Sequence, residues 1–168
     1  CIRDRNYIWN NFMPNGMEND NITYKTITGF PSKKIFAELT ELYVEIFEDA
    51  DLEFFGQRFN ALTDLLTLLA YHNGYLVGFK VGYRYDALTF YSWIGGVKLI
   101  FRNKGIAKQL ALLQEQQAKQ HGYTKLRTKS MNRFKAMMIM NLKNGFDIKK
   151  IYTNTKGQTK IVFEKTIE

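Results

Sequence analysis

Two apolar runs joined by an Asn-Gly pair constrain this chain more than any other feature. Leu65 to Tyr71 reads LLTLLAY, Tyr75 to Tyr83 reads YLVGFKVGY, and His72-Asn73-Gly74 lies between them. The favoured two-residue hairpin needs positive φ at both central positions, which Asn and Gly tolerate best. The runs are therefore predicted to form an antiparallel hairpin, and a hairpin this apolar needs further strands or helices to cover it. Leu65 to Tyr71 is also the longest apolar stretch, far too short to span a bilayer.

Around the hairpin the periodicity alternates between strand and helix. Ile22 to Thr28 (ITYKTIT) alternates apolar and polar residues, as a half-buried strand does. Pro31 and Ser32 open a helix carrying Ile35, Phe36, Leu39, Leu42, Tyr43 and Ile46 at helical spacing, and a second runs from about Leu52 to Leu62 with Phe54, Phe55 and Phe59. A turn at Tyr85-Asp86-Ala87 leads into a strand from Leu88 to Leu99, where Gly95-Gly96 marks a bulge or a close approach. Lys104 to His121 is an amphipathic helix with Ile106, Leu110, Leu113 and Gln117 on one stripe, closed by Gly122. A strand from Tyr123 to Lys129, a helix from Phe134 to Lys143, and a hairpin of Phe146 to Tyr152 with Thr159 to Ile167 complete an α+β order of β, α, α, β, β, β, α, β, α, β, β. Residues 1 to 16 stand apart: they lack periodicity, are rich in Asn, and open with Cys-Ile-Arg-Asp-Arg, which resembles a translated sequencing adapter. They are expected to be a non-native or disordered extension, with Met17 as the natural start and one domain over 17–168.

The single cysteine, Cys1, excludes an internal disulfide and the usual structural zinc clusters, and a reducing, cytoplasmic setting is expected. No metal site is expected. The net charge of +8 is split unevenly: residues from Ala87 onward carry +12 and those before it −4. Such a basic half suits an anionic ligand, and such an acidic half a cationic one, although two solvated faces would look the same.

Arg102-Asn103-Lys104-Gly105-Ile106-Ala107 sits where a strand hands over to the long helix. A helix start leaves backbone N–H groups unpaired and carries partial positive charge. Gly105 and Ala107 keep the approach open, and Arg102, Lys104 and Lys108 add formal charge. Each hydrogen bond to a charged oxygen is worth about 1.5–3 kcal/mol, so three or four amides can hold a diphosphate. The Walker pattern of Gly-Lys-Ser/Thr is absent, and the acidic residue a dinucleotide fold places about twenty positions on is replaced by a basic stretch.

This segment resembles the Arg/Gln-x-x-Gly-x-Gly/Ala motif of the GNAT superfamily of acyl-CoA-dependent N-acyltransferases, following a strand that ends Trp93-Ile94-Gly95-Gly96-Val97. Downstream, Asn144-Gly145-Phe146 looks like that family's Gly-Phe signature. The resemblance implies a mixed, mostly antiparallel sheet of about seven strands flanked by four helices, and transfer of an acetyl group from acetyl-CoA to a primary amine. It further implies that amides of residues 102–107 cradle the CoA diphosphate, that the strand around Val97 pairs with pantetheine where two strands splay apart, and that Asn132 contacts pantetheine. The family's usual Asn-x-x-Ala is here one residue longer, ending at Ala136. The family's frequent acid, a tyrosine four residues before the Gly of Gly-Phe, is Asn141, which can hydrogen-bond to the CoA sulfur or pantetheine but not protonate a thiolate.

The catalytic groups are otherwise unreadable. Deprotonating a lysine-like amine at pH 7 costs roughly 4.6 kcal/mol, yet Leu88 to Leu99 contains no carboxylate; Tyr91 is a candidate polar group there, set against the commoner role of packing. Backbone N–H groups at a bulge near Gly96 and Val97 would polarise the thioester. In the region that walls the family's acceptor site, Glu38, Glu41, Glu45, Glu48, Asp49, Asp51 and Glu53 form an acidic cluster. Asp49, Asp51 and Glu53, beside Phe54 and Phe55, are the candidates to meet a cationic amine: a small polyamine, an amino-sugar or a peptide amine. Two other readings stay open. One is a CoA-binding sensor without turnover, suggested by Asn141. The other is a nucleic-acid-binding domain using Lys125, Arg127, Lys129, Arg133 and Lys135, disfavoured because only Phe134 is interleaved for stacking. A homodimer is neither indicated nor excluded.

Overall fold

The computed structural model describes residues 21–167, so the expectation for residues 1–16 lies outside the described residues. The chain runs β1 (Ile22–Thr28), α1 (Lys33–Ile46), α2 (Leu52–Ala61), β2 (Leu66–His72), β3 (Tyr75–Arg84), β4 (Thr89–Val97), a 3-10 turn (Leu99–Phe101), α3 (Ile106–Gln120), β5 (Lys125–Met131), α4 (Lys135–Lys143), β6 (Asp147–Thr153) and β7 (Thr159–Thr166). Local chemistry sets the ends. The Ser32 hydroxyl accepts from Ile35 N at 3.4 Å to cap α1, and the Asp51 carboxylate accepts from Phe54 N at 2.9 Å to cap α2. Asn73 (φ 50°) and Gly74 (φ 80°) both take the left-handed conformation the β2–β3 hairpin requires. Asp86 Oδ1 accepts from Leu88 N and Thr89 N, which fixes the entry to β4. Among the described residues no helix is long and apolar enough to cross a membrane.

The seven strands form one sheet in the order β1-β2-β3-β4-β5-β7-β6. Every neighbouring pair is antiparallel except β4 and β5, which run parallel and pair over only three positions, Thr89↔Lys125, Phe90↔Leu126 and Tyr91↔Arg127. The helices α1 and α2 bury Leu39, Leu42, Tyr43, Phe55 and Phe59 against Leu69, Phe79, Val81 and Tyr83, with the Tyr43 and Phe55 rings stacked 4.3 Å apart. On the opposite face α3 sets Ile106 and Leu110 against Leu68, Val77 and Val97, and Ala118 against Phe90 and Leu126.

The element order matches the sequence expectation, and three details differ. The strand β4 ends at Val97, and Leu99–Phe101 turns into a short 3-10 helix. The buried stripe of α3 runs through Ile106, Leu110, Gln114 and Ala118, with Leu113 and Gln117 only half-buried. The bulge expected at Gly95-Gly96 lies instead at Trp93, since Ile94 pairs with Val81 while Ser92 pairs with Gly82. The two glycines serve close approach: a Cβ on Gly95 would stand 2.9 Å from Phe79 O, and one on Gly96 would stand 2.9 Å from Ile46 Cγ2 of α1.

Gly82 carries the tightest of these contacts, because a Cβ there would overlap the Phe90 ring and stand 2.7 Å from Tyr91 O. Gly82→Ala is expected to destabilise by about 3 kcal/mol, lowering Tm by about 6–12 °C. Gly56 inside α2 has no atom within 4 Å of such a position, so Gly56→Ala should raise stability by about 0.5–1 kcal/mol. Thermal melts of the two variants check both signs.

Candidate active site

The opening between β4 and β5 organises the site. Beyond Tyr91 and Arg127 no ladder pair joins the two strands; Thr128 Oγ1 donates to Ser92 O at 2.8 Å and closes the vertex. Each strand holds to its other neighbour, β4 to β3 as far as Val97 and β5 to β7 as far as Met131. Main-chain groups along the inner edges of the opening therefore lack sheet partners, which is costly unless something else supplies them.

At the open end stands the start of α3. Gly105 is its N-cap with φ 78°, no side chain caps it, and the first helical bond runs from Gln109 N to Gly105 O. Asn103 also has positive φ, at 64°. Ile106 is buried and anchors the helix in the core, while Arg102, Asn103, Lys104, Gly105 and Ala107 are exposed. Arg102 Nε donates to Val97 O at 3.1 Å, tying the turn to the end of β4, and Lys104 Nζ lies 5.4 Å from the Phe101 ring centroid. Val97 itself packs its side chain against Ile106 and Leu110. Asn132 is exposed in the turn after β5.

At the vertex, on the α3 and α4 face, a cavity of about 350 Å³ is lined by Lys80, Ser92, Gln114, Leu126 and Asn141, among others. Three buried polar atoms on this face have no hydrogen-bond partner among the described residues: Gln114 Nε2, Asn141 Nδ2 and Ser130 Oγ. Ser130 falls on this face by strand alternation from Leu126. Gln114 and Asn141 line the cavity, and unpartnered buried polar atoms on a cavity wall are what a ligand-binding channel leaves when read from the protein alone. A larger hollow of about 490 Å³ near Asp64, Arg84, His121 and Tyr123 lies at the far end of α3 and touches none of these groups.

On the α1 and α2 face the vertex is aromatic and cationic. Tyr91 packs against Tyr83 at 5.1 Å and Tyr85 at 6.0 Å, with Arg58, Tyr152 and Arg127 close enough to influence it; burial pushes its phenol well above the ordinary range. Its environment is that of a packing residue. Arg58 Nη2 donates to Tyr83 Oη at 2.6 Å, and its guanidinium lies 5.5–5.8 Å from the Phe54, Tyr83 and Trp93 rings. It has no carboxylate partner among the described residues, and its Nε is buried without an acceptor.

The acidic candidates are each engaged. Asp49 Oδ2 accepts from Arg133 Nη2 at 2.6 Å, a bond that holds its carboxyl below the usual range. Asp51 caps α2, and Glu53 accepts from Gln57 Nε2 at 3.0 Å. Phe54 is half-exposed beside Arg58. Of the basic residues of the nucleic-acid reading, Arg127 faces Glu164 at 3.4 Å and Arg133 pairs with Asp49. Lys80, Gln114 and Arg58 were not singled out from the sequence. The signal was present for Lys80, the only charge within the apolar run from Tyr75 to Tyr83.

A mostly antiparallel sheet opened between its central strands, with an uncapped helix start at the mouth, defines an acyl-CoA-dependent transferase of the kind the motifs imply. The family model described as Acetyltransferase (GNAT) family matches residues 34–138, and the chain belongs to this family. It is an acyl-CoA N-acetyltransferase, with acetyl-CoA as the acyl donor. Its fold is similar to the ribosomal-protein-S18-alanine N-acetyltransferase from Escherichia coli, with TM-score 0.72 and 13% identity over 87% of this chain and 95% of that one. It is also similar to a GNAT family acetyltransferase from Elizabethkingia anophelis with acetyl-CoA bound (TM-score 0.70, 24% identity, 88% and 99% covered). A third likeness is to the PaiA N-acetyltransferase from Thermoplasma acidophilum in complex with coenzyme A (TM-score 0.66, 18% identity, 86% and 99% covered). No curated protein matches the sequence.

Proposed function

We propose that the protein acetylates a weakly basic primary amine, such as an α-amine, on a small molecule or peptide that also carries an anionic group. The donor arrives on the α3 and α4 face. Main-chain amides of residues 102–107 and the following turn of α3, with Arg102, Lys104 and Lys108 around them, are suited to its diphosphate. The inner edge of β4 up to Val97 and the amides of Asn132 and Asn141 are suited to pantetheine.

The observation that carries the acceptor reading is Arg58, a guanidinium set in an aromatic wall with no carboxylate to neutralise it. The acids put forward for a cationic acceptor are already used by Arg133, by the cap of α2 and by Gln57, so the polyamine and amino-sugar readings lose their free carboxylates. The nucleophile argument points the same way. With no carboxylate on β4, a lysine-like amine must lose about 4.6 kcal/mol to deprotonation at pH 7, whereas an α-amine of pKa about 8 loses only about 1.4. The positive charge of Arg58 lowers an incoming amine's pKa further, while that of Arg127 is offset by Glu164.

Two measurements test these readings. A Cβ at Gly105 would meet no atom within 4 Å, so Gly105→Glu is expected to cost the fold about 1–2 kcal/mol through the left-handed φ. The variant should remain folded but lose the stabilisation of about 2.7 kcal/mol that acetyl-CoA confers at 100-fold excess over Kd; a thermal shift equal to that of the parent refutes the diphosphate site. For the acceptor, matched pairs such as lysine and its decarboxylated diamine are compared by release of free thiol. The carboxylate-bearing member should win by about tenfold or more in kcat/KM, and Arg58→Gln should erase that preference, as loss of one charge-assisted contact of about 1.5–3 kcal/mol predicts. Preference for diamines, indifferent to Arg58, restores the acidic-wall reading instead.

A further inference from the structure

Along β3 the side chains alternate between the two faces of the sheet. Leu76, Phe79, Val81 and Tyr83 join the core under α1 and α2. The intervening positions face α3: a Cβ on Gly78 would stand 3.2 Å from Ile106 Cγ2, and one on Gly82 would stand 2.8 Å from Gln114 Nε2. Lys80 occupies the position between these two glycines. The missing side chains on either side leave room for its stem beneath α3, and Lys80 is one of the residues that line the vertex cavity.

Everything about this lysine is unlike a structural one. Nζ makes no hydrogen bond or ion pair among the described residues, and burial lowers its pKa to about 8. The groups beside it are donors without acceptors, Gln114 Nε2 and Asn141 Nδ2. The one carboxylate lining the cavity, Glu115, is bound by Lys165 at 2.6 Å and approached by Lys119 at 3.6 Å. The remaining charged groups of the lining, Lys143 of α4 and Lys165 of β7, are positive. Ser92 and Leu126 add no charge from β4 and β5. The cavity thus presents unpartnered N–H groups and an excess of positive charge at the point where the two strands part, its one carboxylate being held by Lys165 and Lys119.

We propose that Lys80 is the acid of the acetyl transfer, giving its proton to the coenzyme A sulfur as the thioester breaks, with Asn141 and Gln114 donating hydrogen bonds beside it. The acceptor nitrogen attacks the carbonyl carbon, the C–S bond breaks, and its electron pair stays on sulfur. The Lys80 ammonium supplies one proton to give the free thiol. The proton lost by the acylated nitrogen passes to water, and water returns one to Lys80. A thiol has a pKa of about 8.5, so transfer from an ammonium near 8 is almost balanced, whereas an ordinary lysine near 10.4 would hold its proton. The asparagine that stands where the family's tyrosine would be is thereby explained, because the proton comes from β3 rather than α4. This inference rests on acetyl transfer itself and not on the acceptor reading.

The test combines kinetics with a measurement that needs no acceptor. Lys80→Met is expected to keep the fold with an equal or higher Tm, to lower kcat by about 100-fold or more, and to leave KM for acetyl-CoA within about threefold. Lys80→Arg keeps the charge but cannot give the proton at neutral pH, and it should be equally slow; rescue by arginine would overturn proton donation. In the parent, kcat should fall as pH rises above about 8, and the variants should lack that limb. In NMR of the ¹³C-dimethylated protein, the signal absent from Lys80→Met should titrate near 8. It should move to higher pH with coenzyme A, whose sulfur can carry negative charge, and not with acetyl-CoA, whose sulfur cannot. A signal that responds equally to both, or a Lys80→Met enzyme with unchanged kcat, refutes the assignment.

Discussion

The parting of β4 from β5 is the constraint on which the rest of the molecule depends. A sheet ordinarily pairs every interior strand along its length, because each unpaired buried N–H or C=O carries a desolvation penalty of roughly 1–3 kcal/mol. Here the two central strands pair over three positions and then separate, each continuing to pair with its outer neighbour. The bulge at Trp93 contributes directly: one extra residue in β4 swings its end away and turns both Trp93 and Ile94 onto the α1 and α2 face, where both pack against the core. An acyl donor laid in that opening would supply the missing partners, so the same defect that weakens the empty sheet favours the loaded one.

The two faces of the opening also differ in their electrostatics, and on the proposed reading this difference separates the two substrates. The face under α3 offers uncapped helical amides at one end and Lys80 with unpartnered donors at the other, a line of positive potential matched to a chain with a diphosphate at one end and a thioester at the other. The opposite face carries Arg58 and Arg127 among tyrosine and tryptophan rings. On the proposed reading, the charge of Arg58 there makes a protonated amine less welcome than a neutral one, which would serve a reaction whose nucleophile must be uncharged.

How much of this was legible in the sequence depended on how local the cause was. The Asn73-Gly74 hairpin, the Ser32 cap and the element order were readable because each is decided by a few adjacent residues. The role of Gly95-Gly96 was not, since a bulge and a helix pressing from above both ask for glycine; only the position of Ile46, about fifty residues away, distinguishes them. The stripe of α3 was misplaced for a similar reason. A glutamine at position 114 reads as surface, and it is buried because Gly82, on a strand distant in sequence, leaves room beneath it. Lys80 was visible as a charge in an apolar run, but its slot depends on two glycines and on which face α3 covers.

The uneven charge of the sequence gains its meaning only on folding. Read along the chain, an acidic first half and a basic second half suggest two separate partners. In the fold the halves meet: Glu45 reaches Lys98 at 2.8 Å, and Asp49 reaches Arg133 at 2.6 Å. Both bonds run from the end of α1 and the turn after it to the margins of the opening, one on the β4 side and one on the β5 side. As exposed pairs each contributes at most about 1 kcal/mol, too little to hold the strands apart. Their effect is to tie two acids of the cluster to Lys98 and Arg133, while Arg58, held by Tyr83 and the surrounding rings, has no carboxylate partner among the described residues.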